Sequence, residues 1–147
     1  MCQDECVRAS IRLAMATKGF DIELLFRALA DRTRLRLLNL MGDDEVCVCY
    51  FVEVLKTPQP KISRHLAYLR KAGIVGARRE GKWMHYRVVK PGDQRAAEVL
   101  KNIQEWLASD REMVRDRGRL VQMCCVNVPA KLVDAPKPAF VIAEVSG

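Results

Sequence analysis

The sequence predicts an α+β fold that is mostly helical and carries one two-stranded β-hairpin. Three observations lead there. Apolar residues recur at helical spacing between residues 21 and 72, the period switches to alternation between residues 74 and 89, and helical spacing returns from residue 93. The 147 residues are half apolar and 29% charged, a globular composition. No apolar run reaches the ~20 residues needed to cross a bilayer. Residues Met1–Arg12 mix acids, bases and two cysteines, unlike a secretory signal. A soluble, cytoplasmic chain that does not meet a membrane is expected.

Each element has a local signal. Asp21 can cap a first helix to Ala30, with Ile22, Leu25, Phe26 and Leu29 in phase. Asp31 opens a second, with Leu35, Leu38 and Met41 on one face and Arg32, Arg34 and Arg36 near the other; Gly42-Asp43-Asp44 breaks it. Glu45–Lys56 reads as a third helix with the stripe Val48, Phe51, Val52 and Leu55, and no strand is expected before it ends. Thr57-Pro58-Gln59-Pro60 is a turn whose prolines suit only a first helical turn or its approach. From Gln59 to Ala72 runs a fourth helix. Ile62, Leu66 and Leu69 make its buried stripe, Lys61, Arg64, Tyr68 and Lys71 point away, Ser63 and His65 lie on the flanks, and Gly73 ends it.

Ile74–Arg79 and Lys82–Val89 then read as strands joined by Glu80-Gly81. Asp93 to roughly Met123 is expected to be one long helix, with Ala96, Leu100, Ile103 and Leu107 in phase, continued by Met113, Val114, Leu120 and Val121, and with Gly118 as a point of interruption. Its Leu100–Leu107 stripe is too apolar to stand uncovered. Residues 126–147 hold three prolines and little periodicity, the pattern of a tail that wraps or stays mobile. The expected organisation is an N-terminal arm or helix (1–18), a principal domain (19–108), a helical extension with a cysteine pair (109–125) and the tail (126–147).

Charge is segregated. Between Lys56 and Lys90 stand ten basic residues against Glu80 alone, a local charge of +9 within a chain of net +7. Such a block suits a surface that meets a polyanion. Helix, turn, helix and basic hairpin follow in the order of a winged helix-turn-helix, which points to double-stranded DNA. Gln59, Lys61, Ser63, Arg64, His65 and Tyr68 would face base edges or backbone from the fourth helix, and Arg78, Arg79 and Lys82 would reach phosphates or the minor groove from the hairpin tip. For His65 a satisfied or phosphate-contacting role is favoured over metal ligation, for His85 a strand-face or phosphate contact, and for Trp83 and Trp106 a core or interface position.

Four stretches carry a resemblance: Phe26–Leu35, Val46-Cys47-Val48-Cys49, Gln59–Leu66 and Arg79–Arg87. Together they resemble the ArsR/SmtB family of metal-sensing repressors, and more narrowly its arsenic-responsive branch. The resemblance spans Asp21 to about Leu107. It implies a homodimer of winged helices, joined through terminal helices, that holds an operator until an inducer binds, with Ser63-Arg64-His65-Leu66 on the DNA-reading helix.

The six cysteines fall into close pairs, Cys2 with Cys6, Cys47 with Cys49, and Cys124 with Cys125. With no export signal, such pairs read as metal ligands, redox sensors or buried apolar residues. Cys47 and Cys49 are about 200° apart on a regular helix, so they can converge only where a helix start distorts. Thiolates suit soft ions, and As(III) or Sb(III) is the expected inducer, bound by three sulfurs in a pyramid. One arsenic pattern places a third cysteine where this chain has Val52, so another sulfur is needed. Cys124 and Cys125 are the first choice, since relatives with Cys-Val-Cys often carry a late pair; packing is the other reading of Cys124. Cys2 and Cys6 are the lesser choice, similar to the arm pair that cadmium- and lead-sensing relatives use. Met15 precedes a start typical of the family, so residues 1–14 read as an extension. The alternatives are a Cd(II)-, Pb(II)- or Zn(II)-sensing repressor and a thiol redox-sensing one. An enzyme is not expected: there is no Cys-x-x-Cys, no glycine-rich phosphate loop, no nucleophile with an evident base and no organic cofactor motif.

Overall fold

Aspartates set where four of the helices begin. The side chains of Asp21, Asp31, Asp93 and Asp110 accept hydrogen bonds from the backbone N–H groups of Leu24, Arg34, Ala96 and Glu112 with Met113. The computed structural model describes residues 4–8 and 19–139. In chain order they form α1 (Ile22–Leu29), α2 (Arg32–Met41), β1 (Val46–Cys47), α3 (Val48–Leu55), α4 (Gln59–Lys71), β2 (Val75–Glu80), β3 (Trp83–Val88), α5 (Gln94–Leu107), α6 (Arg111–Cys125) and a 3-10 turn at Ala130–Leu132. The strands make one antiparallel sheet in the order β1-β3-β2.

The core joins Leu37, Leu38, Leu40 and Met41 of α2, Phe51 and Val54 of α3 and the stripe Ile62, Leu66 and Leu69 of α4. Fixed on that core, α3 and α4 are linked by a tight turn in which Lys56 has a φ of 50°, and the β2–β3 hairpin follows α4. This is a winged helix-turn-helix. Gly73, with φ 78°, ends α4 as expected.

The structure corrects several expectations. A strand, β1, stands where the third helix was expected to start, with Val46 opposite Tyr86 and Cys47 opposite His85. Two residues are too few to display alternation, and their pairing partner lies far along the chain. Helix α3 buries Tyr50 and Val54 as well as Val48, Phe51 and Leu55, while Val52 is only half-buried. Glu80 pairs with Trp83, so the hairpin loop is Gly81-Lys82 instead of Glu80-Gly81. Gly81 takes the positive φ of 57° that the first residue of a two-residue loop favours.

The expected long helix is two, α5 and α6. Asp110 caps the second, and the Ser109 hydroxyl donates to the Trp106 carbonyl oxygen at 2.8 Å; Gly118 lies inside α6 without interrupting it. The Leu100–Leu107 stripe is mostly covered from within the chain, since Leu100 and Leu107 are buried and Ile103 is half-buried. What stays exposed is Trp106 at 75%, with Ile22 at 64% and Phe26 at 53% on α1. Of the expected tail, Leu132 and Ala135 are buried in the core cluster.

Charged groups fasten α6 to α2. The Arg36 guanidinium donates to both oxygens of Asp116, at 2.7 and 2.9 Å, and the Asp116 side chain is only 1% exposed. Asn39 donates to the Met113 carbonyl oxygen at 3.0 Å, and Arg117 donates to the Asn39 carbonyl oxygen at 2.8 Å. Arg32 reaches Asp110 and Glu112. Of the three arginines expected on the polar face of the second helix, Arg32 and Arg36 thus hold α6, whereas Arg34 turns to the Ala28 and Arg27 carbonyl oxygens.

Removing one member of the buried pair strands the other. Arg36→Leu is expected to cost ~3 kcal/mol, at the low end for buried pairs, because Arg119 lies 3.8 Å from Asp116. Urea unfolding checks this. The double variant Arg36→Leu/Asp116→Leu should recover most of the loss, and equal destabilisation of single and double variants would contradict it.

Candidate functional site

Once its stripe is buried, α4 turns a polar and basic face outward. Gln59, Lys61 and Arg64 are exposed, whereas Ser63, His65 and Tyr68 are half-buried. Lys61, Arg64, His65 and Tyr68 line a shallow cleft of about 320 Å³ together with Arg34 of α2. Arg34 was not among the residues expected from the sequence. Its guanidinium donates to the carbonyl oxygens of Ala28 and Arg27 at 2.7 Å each and stacks 4.4 Å from the Tyr68 ring centre. The His65 Nδ1 is 3.6 Å from Asp31. Burial pushes its imidazole below the ordinary range, against the pull of Asp31, which favours the neutral form at pH 7. His65 and Tyr68 therefore serve the α2–α4 contact as well as the outer face.

On the wing the three expected bases divide. The Arg78 guanidinium donates to Glu45 at 3.1 Å and to Glu80 at 3.1 Å, so two carboxylates match its charge. Those bonds also hold the Glu45 carboxyl below its usual range. Arg79 and Lys82 remain exposed at the tip; Arg79 donates to the Gly81 carbonyl oxygen at 3.1 Å, and Lys82 lies 4.8 Å from the Trp83 ring centre. His85 is 4% exposed and faces inward. Its Nδ1 is 3.7 Å from Glu45 and its Nε2 3.2 Å from Glu80, the latter outside hydrogen-bond geometry. Its strand-face position holds, and a phosphate contact from this buried ring does not.

The thiols converge by the route a helix start allows. Cys47 is extended, with φ −67° and ψ 142°, and is the N-cap residue of α3; Cys49 is in its first turn. Their Sγ atoms are 2.9 Å apart, Cys49 donating to Cys47, which is well beyond the disulfide length of about 2.05 Å. The Cys49 hydrogen bond brings the Cys47 thiol down to about 7 against the opposing cost of burial, and the backbone N–H groups of Cys49, Val48 and Met84 assist. The same sharing, with burial, pushes Cys49 up. Cys47 is thus the more acidic thiol and accepts the Cys49 hydrogen bond.

The remaining cysteines lie elsewhere. Cys124 is fully buried on the α6 stripe with Met113 and Leu120, and burial pushes it up to about 11. Cys125 and Cys6 are exposed, and Cys2 lies outside the described residues. Among the described residues no group of three or more His, Cys, Asp or Glu side chains comes together to hold a metal ion. The sequence reading also passed over Tyr50, whose hydroxyl donates to the Ala135 carbonyl oxygen at 3.3 Å and interacts with Cys124. Only its place beside Cys49 hinted at a role.

Comparison with known proteins places this geometry. Residues 31–76 match the family described as bacterial regulatory protein, arsR family. The arsenic resistance transcriptional regulator ArsR1 of Pseudomonas putida is 41% identical over 104 residues, covering 67% of this chain and 81% of that protein. The chain belongs to the arsR family. The arsenical resistance operon repressor of Escherichia coli is 51% identical over 65 residues, covering 44% of this chain and 56% of that protein. Among solved structures, the antimony-specific transcriptional repressor AntR is 32% identical, covers 55% of this chain and 71% of that one, and aligns with a TM-score of 0.45. This arsR-family chain is thus a DNA-binding transcriptional regulator. The matched span runs from the α2 cap into β2, so it includes Cys47 and Cys49 and leaves Cys124 and Cys125 outside. No helix of the described residues is long and apolar enough to cross a membrane.

The lowered Cys47 thiol gives a direct test. Thiolate absorbance is expected to rise by one equivalent with a midpoint near 7. Cys47→Ser should abolish that step, and Cys49→Ala should move it toward the ordinary thiol range of about 8.5. A wild-type chain with no thiolate below pH 8 would contradict the geometry.

Proposed function

We propose that this arsR-family chain is a repressor that releases operator DNA when As(III), or its heavier congener Sb(III), binds through Cys47 and Cys49. The observation that carries this reading is the position of the paired sulfurs, 2.9 Å apart at the first turn of α3, the leading helix of the helix-turn-helix. Each thiol that meets an As–OH group exchanges S–H and As–OH for As–S and water, with no change of oxidation state. Cys47, already prone to ionise, is the first attacker. The proton on Cys49 goes to the leaving hydroxide.

Binding consumes the lone pairs that receive the N–H groups of Val48, Cys49 and Met84, so it acts on the α3 start and on β3 of the wing together. Cys124 and Cys125 are the preferred source of a third sulfur, and Cys2 with Cys6 the lesser source. A four-thiolate site that uses the N-terminal pair would instead suit a cadmium-type ion. The coupling need only be modest, since ~3 kcal/mol between the two states weakens operator binding over a hundredfold. The chain acts where operator DNA is, in the cytoplasm.

A homodimer suits the exposed apolar residues Ile22, Phe26 and Trp106 and the groove of about 270 Å³ that Trp106, Ile103 and Leu107 line with Leu29 and Leu35. Sedimentation at micromolar concentration is expected to give a dimer that Trp106→Glu weakens. A well-folded wild-type monomer would contradict it.

Operator titrations test the function. Arg64→Ala is expected to cost ~1–3 kcal/mol on the cognate site and relax discrimination, whereas Arg79→Ala and Lys82→Ala should weaken all sequences and lower the salt slope by about one unit per lost phosphate contact. Unchanged affinity in all three would remove the DNA-binding assignment of these residues. Cys47→Ser and Cys49→Ser should each keep operator binding and lose release by arsenite. A normal arsenite response in Cys47→Ser would overturn the inducer site.

A further inference from the structure

Helix α3 carries two things that the reading above does not use. Tyr50 follows Cys49 in the first turn, and its hydroxyl donates to the Ala135 carbonyl oxygen at 3.3 Å while interacting with the Cys124 thiol. One turn later Glu53 pairs with Lys131 at 3.5 Å. Both contacts attach the segment 130–139 to the helix whose start holds the sulfurs. Inward, Leu132 is 2% exposed and Ala135 6%, and Cys124, at 0%, belongs to the same cluster.

We propose that Tyr50 is a positioning residue that couples the Cys47–Cys49 pair to the segment 130–139, so that a ligand bridging the two sulfurs loosens this segment and uncovers Cys124. This rests on the assignment of Cys47 and Cys49 as the inducer site, and it names how a third sulfur becomes reachable.

The coupling follows from lengths. A soft ion whose bonds to sulfur resemble those of zinc, roughly 2.3 Å, holds two sulfurs roughly 3.2–3.8 Å apart. The pair sits at 2.9 Å, so bridging must spread it. Cys47 is anchored by its strand pairing with His85, which leaves the first turn of α3 to move. Tyr50 is in that turn. Its bond to Ala135, at 3.3 Å, is already longer than the roughly 2.5–3.0 Å usual for a hydroxyl donor, so a displacement of a few tenths of an ångström breaks it. The Glu53–Lys131 pair cannot compensate, because the lysine side chain is 82% exposed and such pairs contribute little. Detached at Tyr50, the segment is left with the contacts of Leu132 and Ala135, and the cover over Cys124 thins.

The test uses the full chain with Cys2, Cys6 and Cys125 replaced by Ser, and phenylarsine oxide as a probe that bridges two neighbouring thiols. Peptide mass spectrometry confirms the adduct on Cys47 and Cys49. The readouts are the modification rate of Cys124 by N-ethylmaleimide and hydrogen exchange of residues 129–139. The adduct is expected to raise both about fivefold, the factor that one neutral hydrogen bond is worth. Tyr50→Phe should raise them similarly without the probe and respond little to its addition. An adduct that forms while Cys124 and the segment keep their protection overturns the coupling, and so does a ligand-free Tyr50→Phe chain as protected as wild type. Should Tyr50→Phe prove unfolded, the wild-type comparison with and without the probe decides. Failure of the probe to join Cys47 and Cys49 overturns the inducer-site assignment itself, and the coupling with it.

Discussion

Cys47 must satisfy two elements at once, and the arrangement of the molecule depends on it. Its backbone is extended because β1 pairs with β3, and the same residue is the N-cap of α3. A strand thus runs into a helix with no loop between them. That abrupt change of conformation is what lets side chains at i and i+2 converge, where a continuous helix would hold them apart. It also ties the start of the helix-turn-helix to the wing, since β3 is both the partner of β1 and the second strand of the hairpin. The α3 start has no side-chain cap hydrogen bond. Instead its N–H groups face the Cys47 sulfur, and a helix N-terminus stabilises the thiolate form of a cysteine placed there.

Around this junction, charge is sorted by use. Arg32 and Arg36 of α2 hold α6 through Asp110, Glu112 and Asp116. Arg78, inside the basic block, is neutralised by Glu45 and Glu80 and fastens the wing to the residue just before β1. The outward face of the block carries Lys61 and Arg64 on α4 and Arg79 and Lys82 at the tip, with Arg70, Lys71, Arg87 and Lys90 also exposed. A polyanion would meet these groups while the matched pairs keep the scaffold rigid beneath them.

Helix α4 and the hairpin were legible in the sequence because their signals are local. Ile62, Leu66 and Leu69 are spaced by the helix they belong to, and the alternation from residue 74 to 89 belongs to the strands themselves. The paired thiols were legible as chemistry, and their convergence followed from their place at a helix start. Strand β1 was not legible, since Val46 and Cys47 become a strand only when Tyr86 and His85 lie beside them. The break between α5 and α6 was hidden because Val114 and Val121 continue the phase of Leu100 and Leu107, although α6 buries Met113, Leu120 and Cys124 about 120° away from it, and Ser109-Asp110 reads as a solvated face until Asp110 is seen to cap. The Tyr50 contact with Ala135 joins residues 85 positions apart, beyond any local pattern.

The central claim is that one free energy links the sulfur pair to the DNA face, and such a coupling is reciprocal. The most direct measurement is calorimetry of arsenite binding to the free protein and to its operator complex, set beside operator affinities with and without arsenite. The account predicts that operator DNA weakens arsenite binding by the same factor, about a hundredfold, by which arsenite weakens operator binding. Equal arsenite affinity of the free and operator-bound protein would contradict it.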